Sequence, residues 1–305
     1  MSFESQPYSG IATFGRRPFS RDVAGNDVVI VGVPYDGSVS YRSGTRFGPR
    51  AIREQSLLLW GYNNALQVAP FQALRIVDYG DVEVVPPDIR ATHQAIETEV
   101  DAILAAGPKV IALGGDHSIS LPLLRSHAKR HGRVALIHFD AHPDTWNEEF
   151  RGHPFSHGTP FRRAIDEGLI DTDAYVQIGI RGPTAGPQDY EDARRLGVRM
   201  ITANEAFEIG TAEVLAEVRR LVGPRPAYVT LDIDVVDPAF APGTGTPEVG
   251  GFSSREMLRL LRGLQGLNLV GFDLVEVSPP FDPTHITSIL AANFAFEYLS
   301  LIAAA

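Results

Sequence analysis

The chain has 305 residues, 44% hydrophobic and 21% charged, an ordinary composition for a water-soluble protein with a large core. A formal net charge of −10 argues against nucleic acid or an anionic membrane surface as a partner. The lack of any cysteine excludes disulfides and thiolate chemistry.

Residues 1–26 carry no basic n-region and no apolar h-region. They read as an extension that packs on the domain or on an oligomer neighbour, and the expected location is cytoplasmic. The first strand is expected at 27–34 (DVVIVGVP), then a Gly- and Ser-rich loop at 35–50 and a helix at 49–60. A strand at 74–80 and a helix at 89–107 follow. The strand at 109–115 runs into Gly114-Gly115, then Asp116-His117-Ser118, then a helix at 120–132. Paired glycines let the backbone turn tightly there. Further strands are expected at 133–140, 174–181, 198–202, 227–234 and 267–277. Helical patterns lie at 210–223 and at 253–263, where Ser253 or Ser254 is an N-cap with Glu256 in the first turn. The C-terminal run at 285–305 is apolar but holds His, Thr, Ser, Asn and Glu, so it reads as a buried or interface helix rather than a membrane span. Strands alternating with helices imply one α/β domain over 1–305, with a parallel sheet covered on both faces.

Polar residues gather where strands end. In "IHFDAHPDTW" (137–146), Asp140, His142 and Asp144 fall at every second position after an apolar run. If the strand continues that far, all three point to one face. "YVTLDID" (228–234) repeats the pattern with Asp232 and Asp234, and His117 stands at a third strand end. Alone, each is most simply a solvated loop residue or a packed histidine. Open α/β sheets, however, place their sites at the carboxyl ends of strands. Four carboxylates crowded together repel unless cations neutralise them, and two divalent ions balance them. The oxygen-rich set with imidazole suits Mn²⁺, although raw affinity favours Zn²⁺ or Cu²⁺, so the ligands alone leave the metal open.

Taken together, "GGDHS", "DAHPD", "SHGTPFRRA", "DIDVVDPAFAPGTGTPEVGG" and "DLVEVSP" resemble the ureohydrolase family: arginase, agmatinase, guanidinobutyrase and proclavaminate amidinohydrolase. The likeness runs from about residue 27 to the C-terminus. It implies a three-layer α/β/α fold around a central, mostly parallel eight-stranded sheet. It also implies two Mn²⁺ ions per chain, and hydrolysis of a small guanidino substrate to urea and an amine. On the family pattern His117 and Asp144 ligate one ion, His142 and Asp234 the other, and Asp140 and Asp232 bridge both. Asp144 thereby belongs to the catalytic set. His157 matches the family histidine that protonates the leaving amine, and Glu276 the glutamate that binds the guanidinium. Members commonly form trimers or hexamers. Pro143 departs from the family's small polar residue, and is expected to stiffen the loop without touching the ligands.

The residues agree with that chemistry. A resonance-stabilised guanidinium carbon is a poor electrophile, and a metal makes water a better nucleophile near neutral pH. Asp116, His138, Asp237, Glu248 and Asp273 read as turn residues or as groups that orient the ligands. His153 is a possible substrate-loop residue. A binuclear phosphoesterase would need phosphate donors, and no Walker-type loop or basic cluster adjoins these ligands. A non-catalytic oligomeric regulator would typically have lost ligands, and a single-metal deacetylase does not need both paired files. For the substrate's tail, Glu148 and Glu149 would attract an ammonium and Arg151 a carboxylate. That ranks agmatine first (giving putrescine, a step in polyamine biosynthesis), 4-guanidinobutyrate or another guanidino acid second, and arginine well behind.

Overall fold

The eight apolar runs form eight strands in one sheet. They are β1 (Val28–Val33), β2 (Ile76–Asp81), β3 (Lys109–Gly114), β4 (Val134–Phe139), β5 (Ile170–Ile180), β6 (Arg199–Thr202), β7 (Ala227–Asp232) and β8 (Leu269–Val275). The structure, a computed structural model, describes residues 6–305. The sheet order is β2-β1-β3-β8-β7-β4-β5-β6, and every pairing is parallel. Helices cover both faces, so β1, β4, β7 and β8 are buried along their whole length. That is why these strands read as continuous apolar runs rather than alternating ones.

Helices α1 (Gly48–Ser56), α2 (Pro70–Ala73), α3 (Ile89–Ala105), α4 (Ser120–His131), α5 (Pro160–Asp166), α6 (Pro187–Arg195), α7 (Ala203–Val222), α8 (Ser254–Arg262) and α9 (Ile286–Ala303) complete the three layers. Ser253 caps α8 in a full capping box with Glu256. The expected helix at 210–223 is preceded by a short helical segment that Thr202 caps at Ala203, and the two meet at a kink where Gly210 leaves helical geometry (φ 80°, ψ 159°). Three short helices, α2, α5 and α6, lie outside the periodic segments of the sequence. Each carries a proline in its first turn, the one local signal for them. Helix α9 is long and apolar enough to cross a membrane, yet most of it is buried within the fold, where it packs against α1, α8 and β8.

Within the N-terminal extension, Phe14 is buried and its N–H donates to Asp78 Oδ2 at 2.8 Å. Phe19 bridges to the same residue as a short parallel pair. Residues 14–20 thus pack on edge strand β2; residues 1–5 lie outside the described part.

Two sequence expectations about the strand ends do not hold. Strand β4 stops at Phe139, so Asp140, His142 and Asp144 do not form one face of a strand. Asp140 Oδ1 instead accepts the N–H of His142 at 2.6 Å, and Asp144 has a left-handed backbone (φ 47°). Asp232 closes β7, and Asp234 sits in a single 3₁₀ turn whose N–H donates to Asp232 Oδ1 at 2.8 Å. The spacing of two comes from aspartates capping the turn after the strand, not from strand alternation. Asp116 does the same for Ser118 after β3, at 3.0 Å.

Candidate functional site

The chain runs β1, β2, β3, then leaves a gap that β7 and β8 fill before it returns to β4 in space. Four adjacent strands, β3, β8, β7 and β4, therefore deliver His117, Glu276, Asp232 with Asp234, and Asp140 with His142 and Asp144 to one edge. All six expected metal-binding residues and Glu276 meet there. His117, Asp140, Asp144, Asp232, Asp234 and Glu276 are buried, and His142 is partly exposed.

His117 Nδ1 faces Asp144 Oδ2 at 2.9 Å, Asp140 Oδ2 at 3.1 Å and Asp232 Oδ2 at 3.3 Å, and makes no hydrogen bond. Its other nitrogen is 2.9 Å from Thr230 Oγ1, which donates to Asp273 Oδ1 at 2.5 Å. The Thr230 contact fixes the ring so that Nδ1 points into the carboxylates. His142 Nδ1 lies 3.0 Å from Asp234 Oδ2 and 3.6 Å from Asp140 Oδ1. The two oxygens of Asp140 thus face different histidines. His138 holds Asp140 by a 2.7 Å contact from Nε2 to Oδ2, with its Nδ1 on the Tyr175 hydroxyl at 3.0 Å. Gln177 ties the following loop by donating to the carbonyl of Pro143 at 2.6 Å. The Pro143 carbonyl thereby anchors the loop between His142 and Asp144.

Burial disfavours charge on every group here, and the balance shows which partners outweigh it. For His117 and His142, burial is overcome by the surrounding aspartates, and both imidazoles are held well above their usual range. Burial and the charge of Asp140 push the Asp144 carboxyl up to about 7. Burial, Asp234 and Asp140 together push Asp232 well up. For His138 burial outweighs the adjacent Asp140 carboxylate, and the imidazole falls to about 4. The cluster is short of positive charge. An orphaned buried Nδ1 ringed by carboxylate oxygens, with a bridging aspartate beside it, fits a pair of divalent ions. Two overlapping sets that share Asp140 could each hold a metal: His117, His138 and Asp140, and Asp140, His142 and Asp234. We assign His138 to orienting Asp140, since both of its nitrogens are already engaged.

Glu276 follows β8 in a left-handed conformation (φ 63°). Its Oε1 accepts the His117 N–H at 2.9 Å and meets His157 Nδ1 at 3.2 Å, while Oε2 is buried without a partner. Gly245 leaves room beside that free oxygen. His157 Nε2 faces Ser40 and Glu149. Burial lowers the basicity of His157, but Glu149 and Glu276 together raise it well above the ordinary imidazole value. A small cleft above the cluster is lined by Ser40, His142, Asp144, Trp146, Glu149, His157 and Thr246.

Other expectations divide. Asp237 caps a turn through the N–H groups of Ala239, Gly250 and Gly251, and Glu248 lies 3.7 Å from His142 Nε2. His153 is exposed on a separate cavity with Tyr35, Pro86 and Phe155, away from the cleft. Glu148 is exposed and accepts the Gly152 N–H at 3.1 Å, while Glu149 turns onto His157 at the wall of the cleft. Ser40, Trp146 and Thr230 were not anticipated. Only Trp146, beside the first polar file, had any signal in the sequence.

The model of the arginase family matches residues 26–300. A guanidinopropionase of Pseudomonas aeruginosa is 46% identical over 97% of this chain and 93% of its own length. A guanidinobutyrase of the same organism is 45% identical over 98% of this chain and 94% of its own. The solved proclavaminate amidinohydrolase of Streptomyces clavuligerus superposes with a TM-score of 0.95 at 46% identity, covering 98% of this chain and 99% of that one.

Proposed function

The chain belongs to the arginase family of hydrolases acting on guanidino compounds, and from that premise we propose that it cleaves an ω-guanidino carboxylic acid to urea and an amino acid. His117 and Asp144 would hold one Mn²⁺, His142 and Asp234 a second, with Asp140 and Asp232 shared. Bound there, two ions would balance the carboxylates and would lower the pKa of water towards neutrality. Glu276 receives the guanidinium on its unpartnered Oε2, a charge-assisted contact worth roughly 1.5–3 kcal/mol. His157 beside it, whose basicity Glu149 and Glu276 raise, delivers a proton to the departing amine. The left-handed turns at Asp144 and Glu276 are strained positions of the kind found where a chain is bent to aim a side chain.

The observation that carries the choice of tail lies on the loops that flank the cleft. Of the acidic pair that favours agmatine, Glu149 is turned onto His157, and Glu148 is exposed. Two guanidinium groups on the flanking loops, Arg42 and Arg151, have no carboxylate partner among the described residues. Arg42 stacks on Tyr41 and Phe281, and its carbonyl flanks Gly245 beside Glu276. The relatives named for guanidino acids support the same reading. Urea release by the Mn²⁺-loaded protein, measured at one pH and salt, tests it. 3-Guanidinopropionate or 4-guanidinobutyrate is expected to exceed agmatine and arginine at least about tenfold in kcat/KM, the equivalent of 1.4 kcal/mol. A tenfold lead for agmatine would overturn the assignment.

A further inference from the structure

The loop that carries His157 closes around one carboxylate. Glu149 turns inward, with Oε1 3.3 Å from His157 Nε2 and Oε2 accepting the Gly158 N–H at 3.3 Å. The Trp146 N–H donates to the Gly158 carbonyl at 3.2 Å. A Cβ at position 158 would fall 2.6 Å from the Trp146 ring and 3.0 Å from Glu149 Oε2, so only glycine permits this closure. The His157 N–H donates to the Ser38 carbonyl at 3.2 Å and fixes the residue from the other side. The imidazole therefore lies between two carboxylates, Glu149 at Nε2 and Glu276 at Nδ1.

These two carboxylates have different duties. Glu276 must share its charge with the guanidinium once substrate docks, which weakens its hold on His157. Glu149 stands on the far side of the ring, at Nε2, where the guanidinium on Glu276 does not compete for it. Nε2 also meets Ser40, whose backbone N–H lies at 3.0 Å and whose hydroxyl lies at 2.8 Å. An N–H suits the bare nitrogen, whereas a carboxylate suits the protonated one. As placed, Nε2 accepts the Ser40 N–H, and once protonated it must give up that contact and turn to the Glu149 carboxylate 3.3 Å away.

We propose that Glu149 is a positioning residue, whose carboxylate accepts from His157 Nε2–H and orients the imidazole that hands a proton to the departing amine. The proposal rests on the reading of His157 as proton donor. In the step it serves, water adds to the guanidinium carbon. The C–N bond to the tail then breaks, and its electron pair goes to the amine nitrogen. Both protons of the water end on that nitrogen, one of them by way of His157.

The test is a double-mutant cycle on the Mn²⁺-loaded enzyme, with the best guanidino substrate and metal content measured alongside. E149Q is expected to lower kcat about 10- to 100-fold, inside the 10²–10⁴ that a general acid contributes, with KM nearly unchanged and metal retained. In an H157A background, E149Q should cost no more than about twofold, since it acts through the missing ring. The E149Q penalty should also shrink for an oxyguanidino analogue, whose alkoxyamine leaving group needs less help from an acid. An equal penalty in both backgrounds would overturn the proposal, as would wild-type kcat in E149Q while H157A is impaired. Wild-type kcat in H157A would sink the reading of His157 itself, and this inference with it.

Discussion

Two buried charge clusters lie in this sheet, and they are built on opposite principles. On edge strand β2, Arg53 is nearly buried and uses every arm: Nε to Asp78 Oδ2 at 2.9 Å, Nη1 to Asp81 Oδ1 at 2.6 Å, Nη2 to the Gly80 carbonyl at 2.8 Å. Asp78 also accepts the N–H groups of Phe14 and Gly80. That cluster brings its own cation and joins the N-terminal extension to the sheet. At the central strands, four aspartates surround two imidazoles, and His117 Nδ1 and Glu276 Oε2 are left without hydrogen bonds. A satisfied cluster is structure; a cluster short of positive charge is a place for something to bind.

The comparison can be broken most forcefully at Asp140, whose oxygens face both histidines. Asp140→Asn is expected to cost more than about 10²-fold in metal affinity, since even outer partners of a ligand cost 10–100-fold. Activity should fall with it while the apo fold survives. Metal content by elemental analysis reads the first effect, and a variant that keeps two ions would remove Asp140 from the bridging role. Arg53→Met should do the reverse. It leaves Asp78 buried and unpaired, a loss of about 3–5 kcal/mol, which lowers Tm on the order of 10 °C. Folded protein should still bind metal, and calorimetry with and without Mn²⁺ separates the two clusters.

A milder change sharpens the contrast. Thr230→Val removes the hydroxyl between Asp273 and His117 but keeps the volume. Metal affinity should weaken about 10–100-fold in a titration, with little change in kcat at saturating metal. The smallest effect concerns histidines that lack carboxylates. Burial holds His127 down to about 4, and burial with the nearby Arg125 charge holds His93 down to about 3. Both lie below the unfolded value of about 6.5. Between these values the unfolded chain binds protons that the native chain refuses, so stability is complete above about pH 6.5 and declines as pH falls. The expected slope is up to about 1.4 kcal/mol per pH unit for each ring. In denaturant titrations of the metal-free protein, His127→Gln should flatten that slope. An unchanged slope would mean that His127 is not buried in the neutral form.

Much of this was legible before any coordinates. The eight strands follow from β-branched apolar runs between Gly, Pro and Asp, which burial on both faces demands of a parallel sheet. The residues of the metal cluster were legible because Asp and His have little reason to stand at the end of a buried strand unless they cap it or bind something. Here Asp140 and Asp232 cap their turns and also stand in the buried carboxylate cluster. Their spacing does not reveal its own cause, because an aspartate that caps a turn and a strand that alternates faces produce the same period of two. The direction of Glu149 is hidden for a related reason: a carboxylate in a loop has no periodicity to reveal which way it turns.

The sequence by itself determined which segments are strands, which groups are too polar for the core without a cation, and what those groups can bind. These are properties of a residue and its near neighbours. Only the tertiary structure decided that β7 and β8 slip between β3 and β4, bringing His117 to Asp140 and Asp232, and that Glu149 closes on His157. Strand order is set by how helices of given length cross a twisted sheet and by which faces they bury together. That balance is made over the whole chain, so no local stretch of residues contains it.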